Sequence, residues 1–85
     1  MYRVLLERGA ERDLTRLSSE IHDRVIAAIQ ALATNPRAPG CRKLAGSKHD
    51  WRIRVGDYRV LYFADTKAKQ ISVGVIGHRR DVYRR

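Results

Sequence analysis

One cysteine, Cys41, stands in a chain of 85 residues, so the chain can close no disulfide of its own and build no cysteine-rich zinc site. The three histidines, His22, His49 and His78, are not at metal-ligand spacing, and no run of carboxylates accompanies them. No metal and no other cofactor is expected. No apolar run approaches ~18 residues, so no segment reads as membrane-spanning. The opening MYRVLLERGAERDL lacks the apolar stretch of a signal peptide. With the lone thiol, this gives an expected cytoplasmic location. Proline occurs only at Pro36 and Pro39, which leaves every other segment free to form helix or strand. Acidic residues are also scarce: nine Asp and Glu face 18 Lys and Arg, a net charge of +9.

That shortage is uneven. Residues 1–40 carry six basic against five acidic side chains, a net of +1; residues 41–85 carry twelve against four, a net of +8. A half this basic points to a polyanionic partner, either nucleic acid or an acidic protein. The length fits one domain over residues 1–85, near the lower end of what one core can stabilise.

The local patterns are short and distinct. YRVLLE, residues 2–7, alternates as a strand with Tyr2, Val4 and Leu6 on one side. Ala10, Leu14 and Leu17 then repeat at helical spacing. Ser18 or Ser19 can cap a second helix whose apolar stripe is Ile21, Val25, Ile29 and Leu32. NPRAPG, residues 35–40, ends it, and CRKLAGSKHD reads as a loop or a short edge strand. WRIRV and YRVLYF flank the turn pair Gly56-Asp57, and ISVGVIG, residues 71–77, is a last strand with Ile71, Val73 and Val75 on one face. The expectation is an α+β fold: an N-terminal strand, a helix pair, then a three-stranded antiparallel meander, with the helices on one face of one small sheet and a basic open face on the other.

A two-residue turn at Gly56-Asp57 sets the hairpin register. Val55 then pairs with Tyr58, Arg54 with Arg59, Ile53 with Val60, Arg52 with Leu61 and Trp51 with Tyr62. One face carries Trp51, Ile53, Val55, Tyr58, Val60 and Tyr62 and is the core face; the other carries Arg52, Arg54 and Arg59. Like charges facing each other across strands cost up to ~1 kcal/mol. Clustered guanidiniums offer forked donors that match phosphate. A solvated polar face accounts for the same pattern, and the hairpin alone does not separate the two readings.

KLAG (43–46), WRIRVGDYRVLY (51–62) and IGHRRDVY (76–83), in this order and after a helix pair, make the chain resemble the RelE/ParE superfamily of toxins from type II toxin–antitoxin pairs. The resemblance implies one RelE-like toxin domain over the full length. In the RelE branch it implies metal-free cleavage of messenger RNA in the ribosomal decoding site, by attack of a ribose 2′-OH on the adjacent phosphate. It also implies the residues: Arg52, Arg54, Arg59, Arg79 and Tyr83 as the catalytic set, with Arg52, Arg54, Arg59 and Arg80 on RNA phosphates. The first two positions are often Lys in the family. Arginine is a very poor proton acceptor, so Arg52 and Arg54 are expected to stabilise charge and position the strand. His78 is then the possible acid or base, or a surface histidine without a role. Tyr83 stacks on a base, orients the 2′-OH, or packs back on the domain. Implied partners are a RelB-like antitoxin, the 70S-type ribosome and messenger RNA, with operator DNA reached through the antitoxin. The alternatives are a ParE-like inhibitor of DNA gyrase, whose branch lacks the RNA-cleaving basic cluster, and a degenerate toxin that retains only antitoxin binding.

Overall fold

The computed structural model describes residues 1–44 and 50–82. The chain runs β1 (Arg3–Leu6), α1 (Arg8–Thr15), α2 (Ser19–Thr34), β2 (Cys41–Lys43), β3 (Asp50–Val55), β4 (Tyr58–Asp65) and β5 (Gln70–His78). The strands form one sheet in the order β1-β5-β4-β3-β2, parallel between β1 and β5 and antiparallel elsewhere. The expected α+β architecture is observed, and the segment left between loop and edge strand supplies the fifth strand, β2.

The helices form where their apolar stripes demand burial. Ala10 and Leu14 of α1 and Val25, Ile29 and Leu32 of α2 are buried against one face of the sheet. Of the two candidate caps, Ser18 is the one used: its Oγ accepts a long bond of 3.5 Å from the Ile21 N–H. The helix ends at Thr34, Asn35 caps it in extended conformation, and Asn35 Oδ1 takes the Arg37 N–H at 3.1 Å. Ile53, Val55, Val60 and Tyr62 meet the helices from the sheet side. Tyr62 donates to the Pro36 carbonyl at 2.6 Å. Burial, with Cys41 beside it, pushes this phenol above its ordinary pKa, so it stays a donor at any physiological pH. Trp51 lies at the core edge with the Arg37 guanidinium 5.5 Å from its ring centre.

The hairpin pairs as the turn geometry requires, from Val55 with Tyr58 to Trp51 with Tyr62. The last strand departs from simple alternation. Leu61 pairs with Val75 but Tyr62 pairs with Val73, so Gly74 is an extra residue, a β-bulge. The expectation that Val75 shares the core face with Ile71 and Val73 is therefore wrong. Past the bulge the parity inverts: Val75 moves to the open face opposite Leu61, and Ile76, 1% exposed, takes the core position. A Cβ at the bulge would stand 2.8 Å from Glu7 Oε2, the movable end of an exposed side chain, so a larger residue there displaces the Glu7 carboxylate.

Strand β5 outruns β1, whose last pair is Leu6 with Val73. Beyond it the Ile76 N–H has no strand neighbour on that side, and the buried Asp13 carboxylate accepts it at 2.9 Å through Oδ2. A side chain of α1 thus finishes the ladder. Asp13→Ala leaves that amide buried without a partner, and the expected loss is about 1–3 kcal/mol of stability, read as a lower denaturant midpoint at unchanged m. An unchanged midpoint would remove Asp13 from this role.

Candidate functional site: an arginine surface on the open sheet face

Pairing fixes which side chains share the open face. Arg54 is opposite Arg59, and Arg52 is flanked by Leu61 on one side and Arg42 on the other. Arg42, at the centre of the three-residue β2, was missed by sequence reasoning, because so short a segment has no alternation to read. Its signal was position alone: a basic residue close before the hairpin. Arg42 and Arg54 are exposed and Arg52 is half-buried. Two pairs of like charges therefore face each other across adjacent strands, an arrangement that repels.

Arg59 behaves differently from its neighbours. It is 9% exposed, and its Nη1 donates to the carbonyls of Gly56 at 3.1 Å and Tyr58 at 3.0 Å. Its Nε is buried without a hydrogen-bond partner among the described residues. What covers it is the turn after β5. Val82, 2% exposed, packs over Gly77, the residue paired with Arg59, with its Cβ 3.8 Å from where a Gly77 Cβ would stand. Arg54 Nε donates to the same Gly56 carbonyl at 3.2 Å. Arg59 is thus a buried clamp on the hairpin turn that also holds Arg54, rather than an open member of the face.

Arg79 joins the same turn. Its backbone N–H donates to the Asp57 carbonyl at 2.8 Å, and its Nε lies 4.0 Å from Asp57 Oδ1. Both side chains are more than half exposed, so this pair adds orientation and little stability. Arg80 is exposed, and its backbone N–H donates to His78 Nδ1 at 3.2 Å. His78 pairs with Tyr58 on the helix-bearing face, and the two rings meet edge to face at 5.6 Å. The structure does not bring His78 to the arginines of the open face, and its Nδ1 lone pair is already engaged. Tyr83 lies outside the described residues.

Beside the arginines the open face turns apolar. Leu44, Leu61, Phe63 and Val75 line a shallow cleft of about 270 Å³ with Glu7 and Asp50 at its border. Val75 is there only because of the bulge. Among the described residues no group of three His, Cys, Asp or Glu is placed to hold a metal ion, and no helix is long and apolar enough to cross a membrane. The arrangement can hold anions, spread negative charge over several guanidiniums, and seat an apolar side chain next to them. On the open face, arginine offers donors and fixed charge, and among the described residues no unengaged imidazole stands there to take a proton.

Comparison with known proteins gives this surface a context. Chains of similar fold include the archaeal RelE of a RelE–RelB complex from Pyrococcus horikoshii OT3, at 28% identity and a TM-score of 0.82 over 92% of this chain and 94% of that one. The toxin–antitoxin complex RelBE2 of Mycobacterium tuberculosis gives 26% identity and 0.80 over 92% and 98%. A chain of the intact Escherichia coli RelBE complex shares the fold at 19% identity and 0.81, over 92% and 96%. No curated protein sequence matches. Residues 4–83 match the family described as the ParE toxin of the type II toxin–antitoxin system parDE. A match over nearly the whole chain, on a sheet of the RelE order, makes this chain a toxin of the RelE/ParE superfamily and a member of the ParE toxin family of type II toxin–antitoxin systems.

Proposed function

We propose that this toxin acts in the cytoplasm, as one domain over residues 1–85, and cleaves messenger RNA bound to the ribosome. The observation that carries the reading is the cluster Arg42, Arg52 and Arg54 on neighbouring strands, continued by Arg79 and Arg80 at the hairpin turn. A phosphodiester laid on this surface meets forked donors from two strands, and the charge that builds on its oxygens during 2′-OH attack is spread over them. The 2′-OH attack needs little more than alignment once that charge is held, and the ribosome is the body that aligns the strand. Free RNA is accordingly a slow substrate. A cognate RelB-like antitoxin fits the same face, with apolar side chains for the cleft at Leu61, Phe63 and Val75 and acidic ones for the arginines. Operator DNA would be reached through that antitoxin.

The deciding experiment adds purified toxin to programmed 70S-type ribosomes and maps new 5′ ends on the messenger. New ends within the decoding site, and none on the same RNA without ribosomes at matched concentration, are the expected result. Absence of new ends in both cases would end this reading. One observation favours a second reading, inhibition of DNA gyrase: the matching family is that of ParE toxins. Gyrase supercoiling assayed beside the ribosomes separates the two.

A further inference from the structure

We infer that the tip of the hairpin is a second phosphate-binding site, completed by Arg24 of α2, which takes a phosphate of the same RNA strand after it leaves the open face. The inference rests on the RNA-directed reading above and names a further contact for that substrate.

Arg24 has a ready intrahelical partner that it does not use. Glu20 lies four residues before it, the order and spacing at which a carboxylate best pairs with a cation on a helix. No such pair forms, and among the described residues Arg24 makes no hydrogen bond or ion pair. The guanidinium lies instead against the turn. Its Nη2, Nη1 and Cζ stand 3.4, 3.5 and 3.8 Å from the point where a Cβ on Gly56 would be. Gly56 sits at φ +60°, a left-handed conformation that suits glycine, and its bare Cα leaves room for the stacked guanidinium.

From the sheet side, Arg54 Nε and Arg59 Nη1 converge on the carbonyl of that same residue. From the segment after β5, Arg79 reaches Asp57. Guanidiniums from α2, β3, β4 and the turn after β5 therefore surround two residues that carry one carboxylate, Asp57. Nothing in the packing asks for a cation at position 24, which is exposed. Gathered like charge is relieved by a bound anion, and the fork of a guanidinium with uncommitted N–H groups matches two oxygens of one phosphate. A strand crossing the arginines of the open face would meet Arg24 on passing over the tip.

The test is the affinity of the full chain for a ten-nucleotide single-stranded RNA, measured by fluorescence anisotropy over a range of salt, for wild type, Arg24→Gln and Lys67→Gln. Lys67 is exposed in the loop after β4, at the other end of that strand from the tip, and makes the same change in net charge. Arg24→Gln is expected to reduce the slope of log K against log salt by about 0.7, the value for one phosphate contact on a single strand, and to weaken binding roughly fourfold at 0.15 M salt. Lys67→Gln is expected to leave the slope as it is, and the melting temperature of Arg24→Gln to equal that of wild type. An unchanged slope in Arg24→Gln, or equal losses in the two variants, overturns the site. So does weaker binding of an acidic decapeptide with RNA binding intact. The measurement needs neither ribosomes nor cleavage. A slope that depends on Arg24, in a toxin that cuts no messenger, therefore keeps the site and discards the endonuclease reading.

Discussion

Replacing Arg52 and Arg54 together by glutamine is expected to lower messenger cleavage on ribosomes by at least about two orders of magnitude, the scale of losing one preorganised transition-state donor, without lowering the melting temperature. The two halves of this expectation come from the same geometry. Arg52 faces Arg42 across β2 and β3, and Arg54 faces Arg59 across β3 and β4. Each facing pair of cations costs a few tenths of a kcal/mol to ~1 kcal/mol, and glutamine relieves both pairs while keeping a polar side chain on the face. The Gly56 carbonyl loses its bond from Arg54 Nε but keeps the one from Arg59 Nη1, so that acceptor is not stranded, and glutamine at position 52 keeps a side-chain N–H donor there. A variant that melts well below wild type, with cleavage preserved in the folded fraction, would make these arginines structural.

Arg59→Met is expected to do the opposite of what a buried cation usually suggests: the melting temperature should rise by several degrees. The guanidinium is almost fully out of water, lies opposite Arg54, and among the described residues leaves Nε without a partner. An unpaired buried donor costs about 1–3 kcal/mol. Methionine keeps most of the volume beneath Val82 and removes the charge, at the loss of two bonds to the carbonyls of Gly56 and Tyr58. A net gain of about 1 kcal/mol corresponds to roughly 4–8 °C in a domain of this size. Cleavage by Arg59→Met separates two roles. As a clamp that positions Arg54 and the turn, Arg59 should cost about tenfold, and adding Arg54→Gln should hide most of that loss. A loss as large as that of the Arg52 and Arg54 pair, and additive with it, would instead put Arg59 in contact with RNA.

Much of this was legible in the sequence, for identifiable reasons. Two alternating strands about a Gly-Asp turn have one parity that buries Ile53, Val55 and Val60, so the register and the face of the arginines followed without coordinates. What lay beyond reach were effects of neighbours distant in sequence. A single glycine in a strand does not reveal whether it pairs or bulges; β4 skips Gly74 when it pairs with β5, which moves Val75 to the open face and Ile76 to the core. Arg59 reads as equivalent to Arg54 until Val82 folds over Gly77. His78 reads as near the arginines because Arg79 follows it, yet strand parity carries its ring to the opposite face, against Tyr58. Arg42 became part of the surface only when a three-residue strand docked on β3.

The sheet order also sets a timetable. The strand made first, β1, pairs with the strand made last, β5, with Arg3 opposite Gln70 and Leu6 opposite Val73. Nearly the whole chain must leave the ribosome before that pairing can close, and the loop it closes is among the costliest in the fold to bring together. Until then β5 lacks its outer neighbour, and the turn that buries Arg59 and carries Arg79 has no finished edge behind it. The arginines of β2 and β3 can pair before that step, because their neighbours are local in sequence, whereas the outer edge of the sheet is completed only with it.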